Sequence, residues 1–262
     1  MTRAIISIAG QSSWEFLQGL FTNDVQKDIN TLSYSAMLSP QGKLLFDFFI
    51  FLSSSNIFYI DIENSVKDDF LKRVNIYKLR QNITIQETEM NVLLSKESLG
   101  VDLSMRDPRN SNMGFRTYFL DNQDQKFSKN QKLLWDKNEY ELTRVKNCIP
   151  RFGIELISNE TYILEANFIN LSGVSFTKGC FIGQEVTARM KHKTVLQKGL
   201  KVVQILDANK MKSSQVGDVI FSGDKKVGHL LSMAQNYAIA YLRLNRITKE
   251  LKCNGGSLTL LG

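Results

Sequence analysis

The nine residues Leu44–Leu52, LLFDFFIFL, are the longest apolar stretch of the chain, and one acid, Asp47, interrupts them. A membrane-spanning helix needs roughly 18 or more apolar residues, so this run is of strand length. Its neighbours agree: YSAML, a turn at SPQGK, the apolar run, a polar turn SSSN and then IFYIDI read as a meander. Pro40 presets φ and Gly42 accepts unusual angles, which suits the tight turn. A carboxylate inside so apolar a strand costs free energy unless it is paired or hydrogen-bonded, so Asp47 needs an explanation. With no longer apolar run, no spanning helix and no membrane partner are expected. The opening residues, MTRAIISIAG, hold too short an apolar run, and no cleavage site, to read as a secretory signal. The expectation is a cytoplasmic protein.

Elsewhere RAIISI reads as a strand and SSWEFLQGL as a helix, with Ser12 and Glu15 in a capping-box pattern and Trp14, Leu17 and Leu20 or Phe21 on one face. Asn64 or Ser65 is expected to cap a second helix, on which Val66, Phe70, Val74 and Tyr77 recur at helical spacing. NITIQE, NVLLS and FRTYFL read as strands, Asp121–Lys132 as a polar exposed connection, and the residues from Tyr140 toward Cys148 as a short helix ended by Pro150. After Thr194 the pattern is purely strand-like: LKVVQIL, GDVIFSG, KKVGHLLSM, YAIAYLRL and GGSLTLL, separated by turn residues. Short strands so spaced suggest a small barrel. The fold class is therefore α+β: a body of mixed sheets and helices over 1–193, then a C-terminal β-barrel-like module over 194–262. A chain of 262 residues can bury cores of that size.

The formal charge of +7 permits attraction to nucleic acid or to a polyanionic small molecule. A solvated basic surface explains the same charge, and an RNA-binding reading has nothing else behind it. The cysteines, Cys148, Cys180 and Cys253, are odd in number and far apart, which is no disulfide framework and fits a reducing compartment. There is no CxxC, and the histidines are His192 and His229 alone. One chain cannot supply four cysteines to a cluster, and a zinc site would need distant ligands to coincide, so no stably bound metal is expected.

One cysteine stands apart. In VSFTKGCFIGQEVTARMKHK, Cys180 follows Lys178 and Gly179, and Arg189, Lys191 and Lys193 come after it. The residue reads as a reactive thiol, a metal ligand or a small buried apolar group. Positive charge favours the thiolate, and Gly179 and Gly183 let the backbone bend sharply. Glu185 falls in the first turn of a helix, QEVTARM, where a carboxylate suits the macrodipole and Cys180 would lie near helical N–H groups. Cys148, beside Ile149 after a helix, and Cys253, in a lysine-rich turn, read as structural.

The stretch KGCFIGQEVTAR resembles the K-G-C-[FY]-x-G-Q-E motif of the YgfZ/GcvT-like family, which includes bacterial folate-binding proteins and a mitochondrial iron–sulfur assembly factor. FLQGLFTNDV, SPQGKLLFDFFI, YKLRQNITI, DPRNSNMGFR and SGVSF agree in order, so the resemblance covers Phe16 to Arg189; VGHLLSMAQNYAIAYLRL resembles the family's C-terminal module more weakly. The resemblance implies a fold similar to the tetrahydrofolate-dependent T-protein of glycine cleavage, a bound reduced folate, and a role in making or maintaining iron–sulfur clusters. Partners would be an assembly scaffold or client proteins. Radical tRNA-modifying enzymes among the clients would make any tRNA link indirect.

Residue by residue, the family motif covers Lys178, Gly179, Cys180, Gly183, Gln184 and Glu185, with Cys180 handling sulfur, iron or a partner thiol and Lys178 beside it. Asp47 resembles the T-protein acid near the reacting folate nitrogen, across a one-residue gap. Tyr140 and Arg144 occupy a segment that helps line the family's pocket, where Tyr140 could stack on the pterin and Arg144 meet a carboxylate. Asp107, Arg109 and Arg116 read as turn and packing elements. Cys148 stands where family members often have Gly, and Tyr140 where some have Trp. The competing reading is a folate-dependent aminomethyl or one-carbon transferase, although transferases of this resemblance lack the K-G-C cysteine.

Overall fold

The computed structural model describes residues 2–120, 132–193, 195–206 and 215–261, without the side chain of Lys193. Residues 121–131 of the expected connection lie outside the described residues. The chain forms two compact units, one of 1–135 with 169–186 and the other of 136–168 with 187–262. The division therefore differs from a single boundary at 193/194, because 136–168 belongs with the C-terminal strands.

In the first unit β1 (Arg3–Ala9), β2 (Ser33–Leu38), β3 (Leu44–Leu52), β4 (Phe58–Glu63) and β5 (Thr84–Glu87) form a sheet in the order β2-β3-β4-β1-β5. Every neighbouring pair is antiparallel. All nine residues of β3 are buried, and strand alternation sorts them to two faces. Phe46, Phe48, Ile50 and Leu52 join Ile6, Ile8, Ile60 and Ile62 in one core. Helices α1 (Ser13–Leu20) and α2 (Lys67–Lys78) supply Phe16, Leu17, Phe70 and Val74 to it. Asp47, Phe49 and Phe51 point to the opposite face, where Arg109, Arg116 and Tyr118 cover the sheet. A second sheet of β6 (Met90–Ser95), β7 (Ser104–Arg106) and β8 (Phe115–Leu120) has the order β6-β8-β7.

The helix starts differ from expectation in detail. Ser12 occupies the N-cap of α1, but its side chain makes no capping hydrogen bond. Asn64 and Ser65 lie in a one-turn 3₁₀ segment, and α2 starts from Val66 without a side-chain cap.

In the second unit α3 (Lys137–Lys146) begins three residues before Tyr140, because the Asp136 carboxylate accepts from the amides of Asn138 and Glu139. Helix α4 (Gln184–Lys193) leads the chain into this unit. Strands β9 (Lys198–Ile205), β10 (Val219–Ser222), β11 (Lys225–Ala234), β12 (Tyr237–Arg243), β13 (Leu251–Cys253) and β14 (Gly256–Leu260) close into a barrel. Five of them follow the expected segments. The sixth, β13, corrects the reading of Cys253 as a turn residue: Leu251 and Cys253 point into the barrel core and Lys252 out. Among the described residues no helix is long and apolar enough to cross a membrane.

Candidate functional site

The Cys180 loop is held in the first unit by segments far away in sequence. After α1 the chain runs along the free edge of β2: Thr22 donates its amide to the Ala36 carbonyl and its Oγ1 accepts from the Ala36 amide, each at 2.9 Å. Ala36 is the cross-strand partner of Asp47. From its other side the same segment grips residues 172–178. Thr22 Oγ1 donates to Gly173 O at 2.7 Å, Asn23 Nδ2 to Ser172 O at 2.7 Å, and the Ser175 amide to Thr22 O at 3.0 Å. Lys178 Nζ donates to the carbonyls of Phe21 and Asn23 at 2.7 and 2.8 Å. Burial draws the Lys178 amine down to about 8, although Asp24 nearby favours the charged form.

Beyond the cysteine, Gly183 has φ 81°, and a Cβ there would lie 2.7 Å from the Ser39 carbonyl oxygen and 3.0 Å from Leu38 Cβ. Gly42, at φ 75°, is as tight against Val186. Only glycine fits either position, so the turn SPQGK and the motif KGCFIGQE are two sides of one contact. Gln184 opens α4 with its amide on Phe181 O, and Glu185 is exposed in the first turn. Cys180 itself is exposed, which removes the buried apolar reading.

Asp47 lies in the same unit. Tyr34 Oη donates to its Oδ2 at 2.9 Å, while its Oδ1 has no partner among the described residues. Burial pushes the Asp47 carboxyl up, against the pull of Arg3 and of the Tyr34 hydrogen bond. Asp61 on the next strand is the counter-case. It accepts from Arg116 Nη2 at 2.6 Å, Arg3 Nε at 2.5 Å and Tyr118 Oη at 2.8 Å. Burial alone would raise it, but Arg116 and Arg3 outweigh burial and hold Asp61 below its ordinary value. Asp107 takes the Arg109 fork at 3.0 and 2.7 Å, and Arg109 and Arg116 lie over the Phe49 ring at 4.7 and 4.0 Å. These arginines are packing elements. Among the described residues Asp47 Oδ1 is left without a hydrogen-bond partner.

Tyr140 and Arg144 fall in the second unit, on α3, with Tyr140 half-buried in the first turn. Arg144 sits in an ion-paired turn. Its side chain is 1% exposed, and its guanidinium is engaged by Glu141 at 2.6 and 3.0 Å, by Ile149 O at 2.6 Å and by Glu155 at 3.3 Å. To meet a folate carboxylate it would have to release these partners. Glu141 sits at the i,i+3 spacing of a helical ion pair with Arg144, whereas Glu155, eleven residues on, carries no pattern of its own. Thr22, Asn23 and Lys178 share stretches with the recognised motifs, but which of them touch depends on the fold.

Among the described residues no three His, Cys, Asp or Glu gather to hold a metal ion.

Comparisons with known proteins agree with this architecture. Residues 198–261 match the family model "CAF17, C-terminal beta-barrel domain". The mitochondrial iron–sulfur cluster assembly factor IBA57 of Mus musculus is 28% identical over 232 residues, covering 78% of this chain and 64% of the mouse protein. The Homo sapiens protein of the same name is 27% identical over 280 aligned positions, covering 95% and 78%. The IBA57 homolog of Dictyostelium discoideum is 28% identical, covering 83% and 64%. The chain thus spans just under two thirds of the mouse and Dictyostelium relatives. The crystal structure of glycine cleavage system aminomethyltransferase T from Bartonella henselae superposes with a TM-score of 0.76 over 99% of this chain and 83% of that one. At 14% identity it shows the fold alone. All three relatives are named mitochondrial, which overturns the cytoplasmic expectation.

Proposed function

We propose that the chain, similar in sequence to mitochondrial iron–sulfur cluster assembly factors and in fold to an aminomethyltransferase T, is a folate-binding accessory factor in iron–sulfur cluster assembly or repair. The observation that carries this reading is Cys180, an exposed thiol on a loop fixed at both ends. An exposed thiol can meet another protein directly. Its thiolate would ligate iron as cargo, the remaining ligands coming from a scaffold or client chain, or attack the outer sulfur of a partner's persulfide with that partner's thiolate leaving. Clients that are radical tRNA-modifying enzymes would produce an indirect tRNA phenotype.

A reduced folate fits one of the expected contacts better than the other. Oδ1 of Asp47 is a buried acceptor without a donor, and the amino-pyrimidine edge of a pterin offers N–H donors of the right kind. Tyr140 and Arg144 lie in the other unit, where Arg144 is engaged by Glu141 and Glu155. When bound, a reduced folate supplies a nitrogen able to carry a one-carbon unit; Asp47 would orient that ring by accepting a hydrogen bond. The transferase reading draws on the same Asp47 contact but leaves the exposed cysteine without a task.

Titration calorimetry with tetrahydrofolate tests the Asp47 contact. Wild type should bind, and Asp47→Asn should bind about tenfold more weakly, the worth of one hydrogen bond to a charged group. No binding, or equal affinity in the variant, would count against it. Turnover of an aminomethyl donor at enzymatic rates in Cys180→Ala would favour the transferase.

A further inference from the structure

We infer that Lys178 is a positioning residue for Cys180, whose ammonium fixes the cysteine loop to the β2 edge rather than activating the thiol. The inference rests on the reading of Cys180 as the working thiol. Lys178 and Phe181 both turn inward: Lys178 Nζ reaches two main-chain carbonyls, and the Phe181 side chain is buried, with Nζ 5.6 Å from its ring. Between them Gly179 and Cys180 are exposed. The cysteine thus stands on a two-residue tip between two anchors.

An ammonium has three donors, and here two of them are taken by carbonyls. Those carbonyls belong to Phe21 and Asn23, whose segment is bonded to β2 through Thr22 with Ala36 and through Asn23 Nδ2 with Tyr34 O at 2.9 Å. The mount is therefore an extension of the five-stranded sheet. Upstream, Ser172 is held at φ 51°, a left-handed conformation that is unfavourable for serine, while Asn23 bonds its carbonyl. Downstream, Gly183 packs on the Ser39 turn without room for a side chain. Remove the Lys178 donors and the tip keeps one inward anchor, Phe181.

Lys178→Met keeps the stem and removes the donors. Two readouts on the full chain decide: amide hydrogen exchange of residues 176–182, and the pH profile of Cys180 alkylation by iodoacetamide, resolved by peptide mass spectrometry. Positioning requires exchange at least about tenfold faster in the variant, with the midpoint of the alkylation profile unchanged. Activation by charge would instead raise that midpoint by about one pH unit or more while exchange stays put, and would overturn the inference, as would no change in either. Lys178→Gln, which keeps a neutral donor, carries the same two readouts if Lys178→Met fails to fold, with a smaller rise in exchange expected. Iron–sulfur enzymes fully supported by Cys180→Ser would sink the working-thiol reading, but the exchange and alkylation results would still decide whether Lys178 mounts the loop.

Discussion

Cys148 and Cys180 lie in two irregular segments built with the same device, a basic side chain donating to main-chain carbonyls, yet the two thiols meet opposite fates. In the second unit Arg144 donates to Ile149 O, and the acids Glu141 and Glu155 surround its guanidinium. Cys148 is half-buried at φ 51°; burial, with Glu155 adding to it, pushes its thiol up to about 12. In the first unit Lys178 donates to Phe21 O and Asn23 O, with Asp24 the acid acting on it, and Cys180 is exposed. A cation neutralised by carboxylates builds a closed turn that silences its cysteine. A cation engaged mainly by neutral carbonyls builds a mount that leaves the cysteine outside.

The largest expected effect comes from breaking the closed turn. Arg144→Met leaves Glu141 and Glu155 without their cation, and unfolding by denaturant should show a loss of about 3–5 kcal/mol. A loss below about 1 kcal/mol would mean that the turn does not depend on its ion pairs. Next comes thiol reactivity: at pH 8, peptide-resolved alkylation should label Cys180 at least about a hundredfold faster than Cys148, whose thiolate is scarce. Equal rates would erase the contrast. Cys253 gives the buried baseline; Cys253→Ser puts a hydroxyl into the barrel core and should cost about 1 kcal/mol in thermal unfolding, where a surface position would cost nothing measurable.

The smallest effect is in pH dependence. The Lys178 amine titrates near 8 in the fold and near the ordinary lysine value when unfolded. Between those values the unfolded chain binds the extra proton, so stability rises with pH across that window. Lys178→Met should flatten this rise. Glu141, where burial is outweighed by the Arg144 hydrogen bonds and charge, is held below its ordinary value, so its share is present above the free carboxylate range and lost as pH falls through its folded value. Arg144→Met should remove that acid-side loss.

Much of the architecture is legible in the residues. Alternation in the meander, the helical spacing of Phe70 and Val74, and the turn-separated strands after Thr194 lead to elements close to those observed. β7 and β13 escape notice because three residues are too few to show a period. The start of α3 turns on Asp136, an acid in a polar context where a cap does not stand out. The site is legible as motifs and not as contacts. The partners of Lys178, carbonyls more than 150 residues away in sequence, leave no mark in its own stretch. Arg144 reads as a ligand contact until Glu155 is found beside it. Asp47 reads as an anomaly in an apolar strand, and the fold keeps it one: buried, held by Tyr34, with one oxygen idle.

The proposed function is tested most directly by replacing the chain in its own cells with the Cys180→Ser variant and measuring the activities of iron–sulfur enzymes at matched protein levels. Cys180 is exposed, so the serine variant should keep its stability to within about 0.5 kcal/mol. The expected result is loss of iron–sulfur enzyme activity with the folded protein present in normal amount. Full activity in the serine variant would contradict the account, because the mounted thiol would then have no part in the work.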